Sequence, residues 1–247
     1  MDLGIGGRRA AVAAASKGLG FGVAQALAAE GVKVAICGRQ RPTIDAAAAQ
    51  IGGGTVPIVA DVSTVEGATG FVRDARAALG GIDILVLNAG GPPPGDFAHT
   101  TVGQYLEAFE LNCRGAIAMC YDAVPEMQER GWGRVVAITS IAVRQPIPNL
   151  ILSNTARAGL TGFLRTLARE VAGDGVTVNS LLPGLHETER IAALHGSSAD
   201  LAAGIPAGFI GDPADFGSIG AFVCSEQARY LTGTAIQVDG GAYGALL

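Results

Sequence analysis

The stretch Ser16-Lys17-Gly18-Leu19-Gly20 follows a short apolar run and precedes an Ala/Leu-rich segment that keeps helical spacing as far as Gly31. Strand, tight turn and helix in that order aim unpaired backbone N–H groups and the positive end of a helix dipole at one point. A diphosphate suits such a turn, and Gly18 and Gly20 let ligand and backbone approach closely. Further on, Asp61-Val62, Asn88-Ala89-Gly90, Ser140 and Pro183-Gly184 each stand directly after an apolar run. Ser153 and Arg157 are four residues apart, which puts a hydroxyl and a permanent cation on one face of a helix near its start. Asn112 sits in a helical stretch between Leu111 and Cys113. Asn is a poor mid-helix residue, so it is either tolerated on a wet face or bonded to something specific.

The elements that must position these groups alternate along the whole chain. Apolar runs at 10–15, 33–37, 55–60, 82–87, 134–139, 176–182 and 235–238 predict strands. Helical spacing predicts helices up to residue 31 and over 42–51, 65–79, 102–130, 153–172 and 213–225. Alternation of this kind predicts an α/β fold, one domain over 1–247. Its doubly wound parallel sheet has about seven strands and helices on both faces. Ligands of such sheets bind outside the carboxyl ends of the strands. The polar groups therefore line up as a nucleotide site would require. Pro92-Pro93-Pro94-Gly95 can continue neither element type, and 185–211 reads as a mobile loop with short helices. Both are expected to shape a substrate pocket.

At 247 residues the chain can bury a large core in one domain. With 49 % hydrophobic and 16 % charged residues, part of the surface is expected to be buried in a homo-oligomer. A net charge of −5 with scattered Lys and Arg excludes a nucleic-acid footprint and favours a small-molecule ligand. Cys37, Cys113, Cys120 and Cys224 form no CxxC pair and no metal-ligand spacing, as expected of reduced thiols in a cytoplasmic protein. No stretch reaches the roughly 18 apolar residues of a membrane helix. Arg8-Arg9 precedes a run of only six, where cleavage as an export signal would destroy the glycine turn. A soluble, cytoplasmic protein with no membrane partner is expected.

Taken together, these stretches resemble the short-chain dehydrogenase/reductase family over essentially the whole chain, and within it the 3-oxoacyl carrier-protein reductases. Gly18 and Gly20 match the second and third glycines of the family's cofactor loop, Asp61 its adenine-contacting acid, and Asn88-Ala89-Gly90 its Asn-Ala-Gly motif. Pro183-Gly184 with Thr188 matches the motif that holds the nicotinamide end, and the chain closes with Val238-Asp239-Gly240-Gly241. The resemblance implies a Rossmann fold, often a homotetramer, and a nicotinamide cofactor. It assigns the cofactor to Ala14, Ser16, Lys17, Gly18, Leu19 and Gly20 in the turn, and to Arg39, Asp61, Val62, Asn88, Ala89 and Gly90 at the next strand ends. Arg157, Pro183, Gly184 and Thr188 complete that set. Asn112, Ser140, Ser153 and Arg157 occupy the catalytic positions.

Two departures from the family stand out. Its loop opens Thr-Gly where this chain has Ala13-Ala14; the added methyl at Ala14 fits if φ there is negative. Its Tyr-x-x-x-Lys pair begins thirteen residues after the Ser, and the same count from Ser140 gives Ser153, then Arg157, with no insertion. Tyr and Lys are replaced, not misplaced. A Tyr phenol starts near a pKa of about 10 and can be tuned to donate a proton. A Ser hydroxyl titrates far higher and stops short of the phenol's reach, though it can hold a water. Arg157, with a pKa above roughly 12, cannot donate but can bind ribose hydroxyls and steady an alkoxide. His186 and His195 are either titrating donors or solvated loop residues. Tyr105, Tyr121, Tyr230 and Tyr243 cannot take the missing place by sequence position, though folding could bring one close.

The second strand ends Cys37-Gly38-Arg39 without the acid that would meet a ribose 2′-hydroxyl, and Lys17 adds a second cation. A 2′-phosphate calls for such cations, so NADP(H) is expected over NAD(H), unless both are solvated surface charges. Three readings follow: an oxidoreductase interconverting a small carbonyl and its alcohol, a cofactor-binding protein without redox turnover, and a lyase or isomerase on the same scaffold.

Overall fold

Strands apolar at nearly every position must be covered on both faces, and the sheet at the centre of this computed structural model is built that way. The structure describes residues 1–189 and 201–246. The strands are β1 (Arg9–Val12), β2 (Lys33–Gly38), β3 (Val56–Val59), β4 (Ile84–Leu87), β5 (Gly133–Ile138), β6 (Val176–Pro183) and β7 (Ala235–Val238). All pair in parallel, in the order β3-β2-β1-β4-β5-β6-β7. The helices are α1 (Gly18–Ala29), α2 (Arg41–Ile51), α3 (Val65–Leu79), α4 (Val102–Phe109), α5 (Gly115–Glu129), α6 (Ile151–Val171) and α7 (Pro213–Val223).

Alternation along each strand sorts the core into two layers. Ala11, Ala35, Leu85, Val135 and Val178 pack with Phe71 of α3, Met119 of α5 and Leu164 of α6. Val12, Ile36, Ile84, Val136 and Leu181 face the other way, onto Leu27 of α1, Ile44 of α2 and Phe216 of α7. Helices α1 and α7 meet backbone to backbone. A Cβ on Gly22 would overlap the Pro213 carbonyl, and one on Gly217 the Gly22 carbonyl. Local signals set the helix starts: Thr64 accepts from the Gly67 N–H at 3.1 Å to cap α3. Asp212 accepts from Ala214 at 2.8 Å to cap α7, whose first residue is Pro213.

Asp83, 3 % exposed, fastens the start of β1 beside the start of β4. It accepts from the Arg9 backbone N–H at 3.0 Å and from Nε and Nη2 of the same residue at 2.8 Å. Burial pushes its carboxyl pKa up, but the Arg9 hydrogen bonds and charge, with Arg130 behind them, outweigh that and hold it below the usual value.

Three sequence expectations are corrected. Strand β1 ends at Val12, short of residue 15, because Ala13 to Ala15 already bend into the turn. The expected helix over 102–130 is broken by a π-helical turn, Glu110–Arg114, between α4 and α5; such turns insert a residue and redirect side chains. Helix α6 begins at Ile151, two residues early, because Gly95 and the 149–151 segment bond to each other: Gly95 N to Asn149 O at 2.7 Å and Ile151 N to Gly95 O at 3.2 Å. No helix among the described residues is long and apolar enough to cross a membrane.

Of the loop expected over 185–211, residues 190–200, His195 among them, lie outside the described residues. Its two ends are bonded together, Gly211 N to Leu185 O at 3.0 Å and Glu187 N to Gly211 O at 2.9 Å. His186 belongs to that closure. It is 4 % exposed, its ring meets Phe216 of α7 edge-on at 5.0 Å, and Gly211 has no room for a Cβ beside it. The solvated-loop expectation is thereby corrected, because burying an imidazole between a helix and a backbone makes it a packing group. Burial pushes its pKa below the ordinary 6.5, against the opposing pull of the Gly184 carbonyl and Asp212. The unfolded chain therefore takes up the proton first, and stability falls as pH drops through 6.5 towards the folded value. The thermal midpoint should decline between about pH 7.5 and 5.5, and His186→Gln should flatten that decline. Equal slopes in both proteins would assign the pH dependence elsewhere.

Candidate functional site

The strand order reverses between β1 and β4, and a crevice opens at the carboxyl edge of such a switch point. The glycine turn forms one wall. Ala13 N bonds Val86 O of β4 and Ala15 N bonds Cys37 O of β2, both at 3.0 Å, so the turn is strung across two neighbouring strands. Between them Ala14 adopts φ +47°. The expectation of a negative φ is corrected: these two anchors force the chain into the left-handed region, which costs an alanine about 1 kcal/mol. Both peptide groups of Ala14 are held, its N–H by the Cys37 sulfur at 3.3 Å and its carbonyl by Asn88 Nδ2 at 3.0 Å. A Cβ on Gly20 would lie 2.6 Å from that Asn88 nitrogen, so helix, turn and β4 interlock only with glycine there. Lys17, at the N-terminus of α1, makes no side-chain capping bond. Its ammonium pairs with Glu189, and a Cβ on Gly18 would stand 3.6 Å from Thr188 Cγ2. The segment after β6 thus meets the turn across the crevice.

The remaining strand ends carry the residues picked out by sequence. Arg39 is exposed directly after β2 and has no ion-pair partner among the described residues. Ser16 packs against Gly38 beside it, and Leu19 packs onto the α1-side core. Asp61 is exposed after β3 and accepts from Ser63 N at 3.1 Å, while Val62 is buried next to it. Ala89 and Gly90 follow Asn88 after β4. Pro183 ends β6, and Gly184 N bonds Val238 O at 3.0 Å.

The positions expected to be catalytic come from the π-turn, from α6 and from the end of β5. Asn112 lies in the π-turn, 3 % exposed, and its Nδ2 donates to Gly90 O at 2.6 Å. Its Oδ1 is buried with no partner among the described residues. The wet-face alternative is excluded. Ser140 follows β5 and caps the short 3-10 turn Ile141–Val143, accepting from Ala142 N at 3.1 Å. Ser153 and Arg157 lie one turn apart on α6, 7 % and 9 % exposed. Arg157 Nε donates to Ser153 Oγ at 3.3 Å and Nη1 to Ile138 O at 3.1 Å. The guanidinium thus spans from α6 to the end of β5, two residues before Ser140. A hydroxyl, a fixed cation and a second hydroxyl at one strand end can hold a carbonyl oxygen and stabilise negative charge on it.

Sequence reasoning missed Cys37 as a hydrogen-bond acceptor, Asp83 as the partner of Arg9, and the Gly95–Leu150 bridge beside α6. Only Asp83 left a signal, an acid inside an otherwise apolar strand run.

The chain as a whole is similar to proteins of known kind. Residues 13–243 match the family model described as enoyl-(acyl carrier protein) reductase. The human dehydrogenase/reductase SDR family member 4 is 34 % identical over 239 residues, covering 94 % of this chain and 86 % of its own length. The 3-oxoacyl-[acyl-carrier-protein] reductase FabG of Escherichia coli K12 is 31 % identical, with 96 % and 98 % covered. The crystal structure of L-sorbose reductase from Gluconobacter frateurii, complexed with NADPH and L-sorbose, superposes with a TM-score of 0.93 at 30 % identity over the whole of both chains. The chain belongs to the short-chain dehydrogenase/reductase family, whose members are NAD(P)-dependent oxidoreductases.

Proposed function

We propose that the chain is an NADP(H)-dependent reductase of a small carbonyl compound, with Ser153 and Arg157 standing where the family has its Tyr and Lys. The observation that carries this reading is the bonding of Arg157 to both Ser153 Oγ and Ile138 O, which supports a preorganised site beside Ser140. The dinucleotide turn fits its group: Gly20 leaves no room for a side chain, and Lys17 and Arg39 supply cations. When bound, the nicotinamide cofactor supplies the hydride.

Ser140 orients the carbonyl oxygen. Arg157 stabilises the charge that develops on it and reaches the ribose hydroxyls, but a guanidinium keeps its own protons at neutral pH. Ser153 Oγ accepts from Arg157 Nε, so the proton it passes to the alkoxide is that of its own O–H, replaced from a water held in the site. Carbonyl, hydride and that proton balance to the alcohol. Proton delivery is expected to be slower than through a phenol. Arg157→Ala should weaken cofactor affinity, whereas Ser140→Ala should lower turnover, by about 100-fold, at little changed affinity. Ser153→Tyr with Arg157→Lys should raise carbonyl reduction. Full turnover in Ser140→Ala would contradict the reductase reading. Turnover confined to the Tyr/Lys variant would favour the second reading, a cofactor-binding protein or a lyase or isomerase, which the loss of that pair supports.

Cofactor choice rests on Arg39, exposed at the end of β2 with no acid beside it. Wild type should bind NADPH at least about tenfold more tightly than NADH, and Arg39→Ala should erase most of that difference. Equal or tighter NADH binding, unaffected by the substitution, would contradict it.

The same reading includes a homotetramer, or at least a dimer, in the cytoplasm. Val102 and Leu106 of α4 and Tyr121 of α5 are 85 %, 71 % and 73 % exposed, a large apolar surface for a lone chain, and the four cysteines are free thiols. Light scattering at micromolar concentration should give a multiple of the 24.8 kDa chain mass; a monomer would contradict it.

A further inference from the structure

We infer that Cys37 is a positioning residue of the dinucleotide turn, its sulfur holding the Ala14 N–H so that the chain can pass through a left-handed alanine. The inference rests on the proposed reading of the turn as the cofactor cradle. It begins from an imbalance. Ala14 and Asn149 are the non-glycine residues with positive φ among those described, and of the two only Ala14 lies in the turn. Such a conformation persists only where its surroundings over-determine it. Around Ala14 two backbone anchors and two side chains do so: Ala13 N to Val86 O, Ala15 N to Cys37 O, Asn88 Nδ2 to Ala14 O, and Ala14 N to Cys37 Sγ. The first three secure the neighbours and the carbonyl. Among the described residues, only the sulfur answers the Ala14 N–H.

The chemistry of Cys37 leaves little else for it to do. It is 0 % exposed, on the sheet face turned to α3, α5 and α6. Burial, with Asp61 adding, pushes its thiol up to about 12, against the opposing Ala14 N–H. A thiol so buried is a poor nucleophile and is shielded from oxidants, so the sulfur acts as a weak acceptor. Residue 37 therefore couples the end of β2 to the turn by two bonds, one through its carbonyl and one through its side chain. A packing role alone would need only volume at this position.

Serine separates the two roles. It keeps an acceptor at Cβ and loses volume and apolarity, so an acceptor role predicts near-native behaviour and a packing role predicts behaviour no better than alanine. NADPH affinity is read by nucleotide fluorescence for wild type, Cys37→Ser, Cys37→Ala and Ala14→Gly, and for Cys37→Ala in the Ala14→Gly background. Cys37→Val replaces Cys37→Ala should the latter not fold. The expected result is a loss of about fivefold or more for Cys37→Ala and of less than about twofold for Cys37→Ser. In the Ala14→Gly background, where glycine accepts the left-handed conformation unaided, Cys37→Ala should cost less than about twofold. Cys37→Ser as weak as Cys37→Ala, or the same loss with and without Ala14→Gly, would overturn the inference. Should wild type bind no nicotinamide nucleotide, the proposed function fails by itself. Urea unfolding of the same variants still decides on Cys37, with strong coupling between positions 14 and 37 expected and additivity overturning it.

Discussion

One side-chain amide ties the molecule together where its strand order reverses. Asn88 Nδ2 reaches across the crevice from β4 to the carbonyl of Ala14, 74 residues earlier. Three features follow from that contact. The turn after β1 cannot relax away from β4, so the first N–H groups of α1 keep one aim. Position 20 can carry no Cβ, because the amide fills the space. The segment after Asn88 is then fixed closely enough for Gly90 O to accept from Asn112, which sets the π-turn between α4 and α5 against the same edge. Parallel strands deliver polar groups to one edge; this bond holds the two halves of that edge in register.

The catalytic edge is organised by a different kind of group. A lysine would offer a compact charge on a flexible stem, whereas a guanidinium is planar and directs its donors in fixed directions. Arg157 uses two of those directions on Ser153 Oγ and Ile138 O. The charge is thereby held at a set place at the end of β5. Under the proposed function, hydride acceptance and proton delivery would be separable tasks, the first resting on Ser140 and Arg157, the second on a hydroxyl backed by solvent.

Much of this was legible in the sequence because the signals are local. A run such as Ile84–Leu87 is apolar enough to demand burial on both faces, and Pro213 announces a helix start. The spacing of Ser153 and Arg157 placed them one turn apart near the start of a helix, and both are buried there on α6. What stayed hidden depends on partners far apart along the chain. The positive φ of Ala14 arises from strands β2 and β4, the burial of His186 from α7, and the bond of Asp83 to Arg9 from a pairing 74 residues long. The π-turn is likewise invisible in a pattern that reads as one helix, because a single inserted residue barely disturbs the apolar spacing.

Under the proposed function, a hydroxyl and a fixed cation suffice for carbonyl reduction. Its most direct measurement is a single turnover: protein with stoichiometric bound NADPH is mixed with an excess of each carbonyl of a broad panel, and the absorbance of the reduced nicotinamide is followed in time. The account predicts that at least one carbonyl oxidises the bound nucleotide in a single exponential with an amplitude equal to the number of sites. Nucleotide that binds stoichiometrically yet stays reduced with every carbonyl of the panel would contradict it.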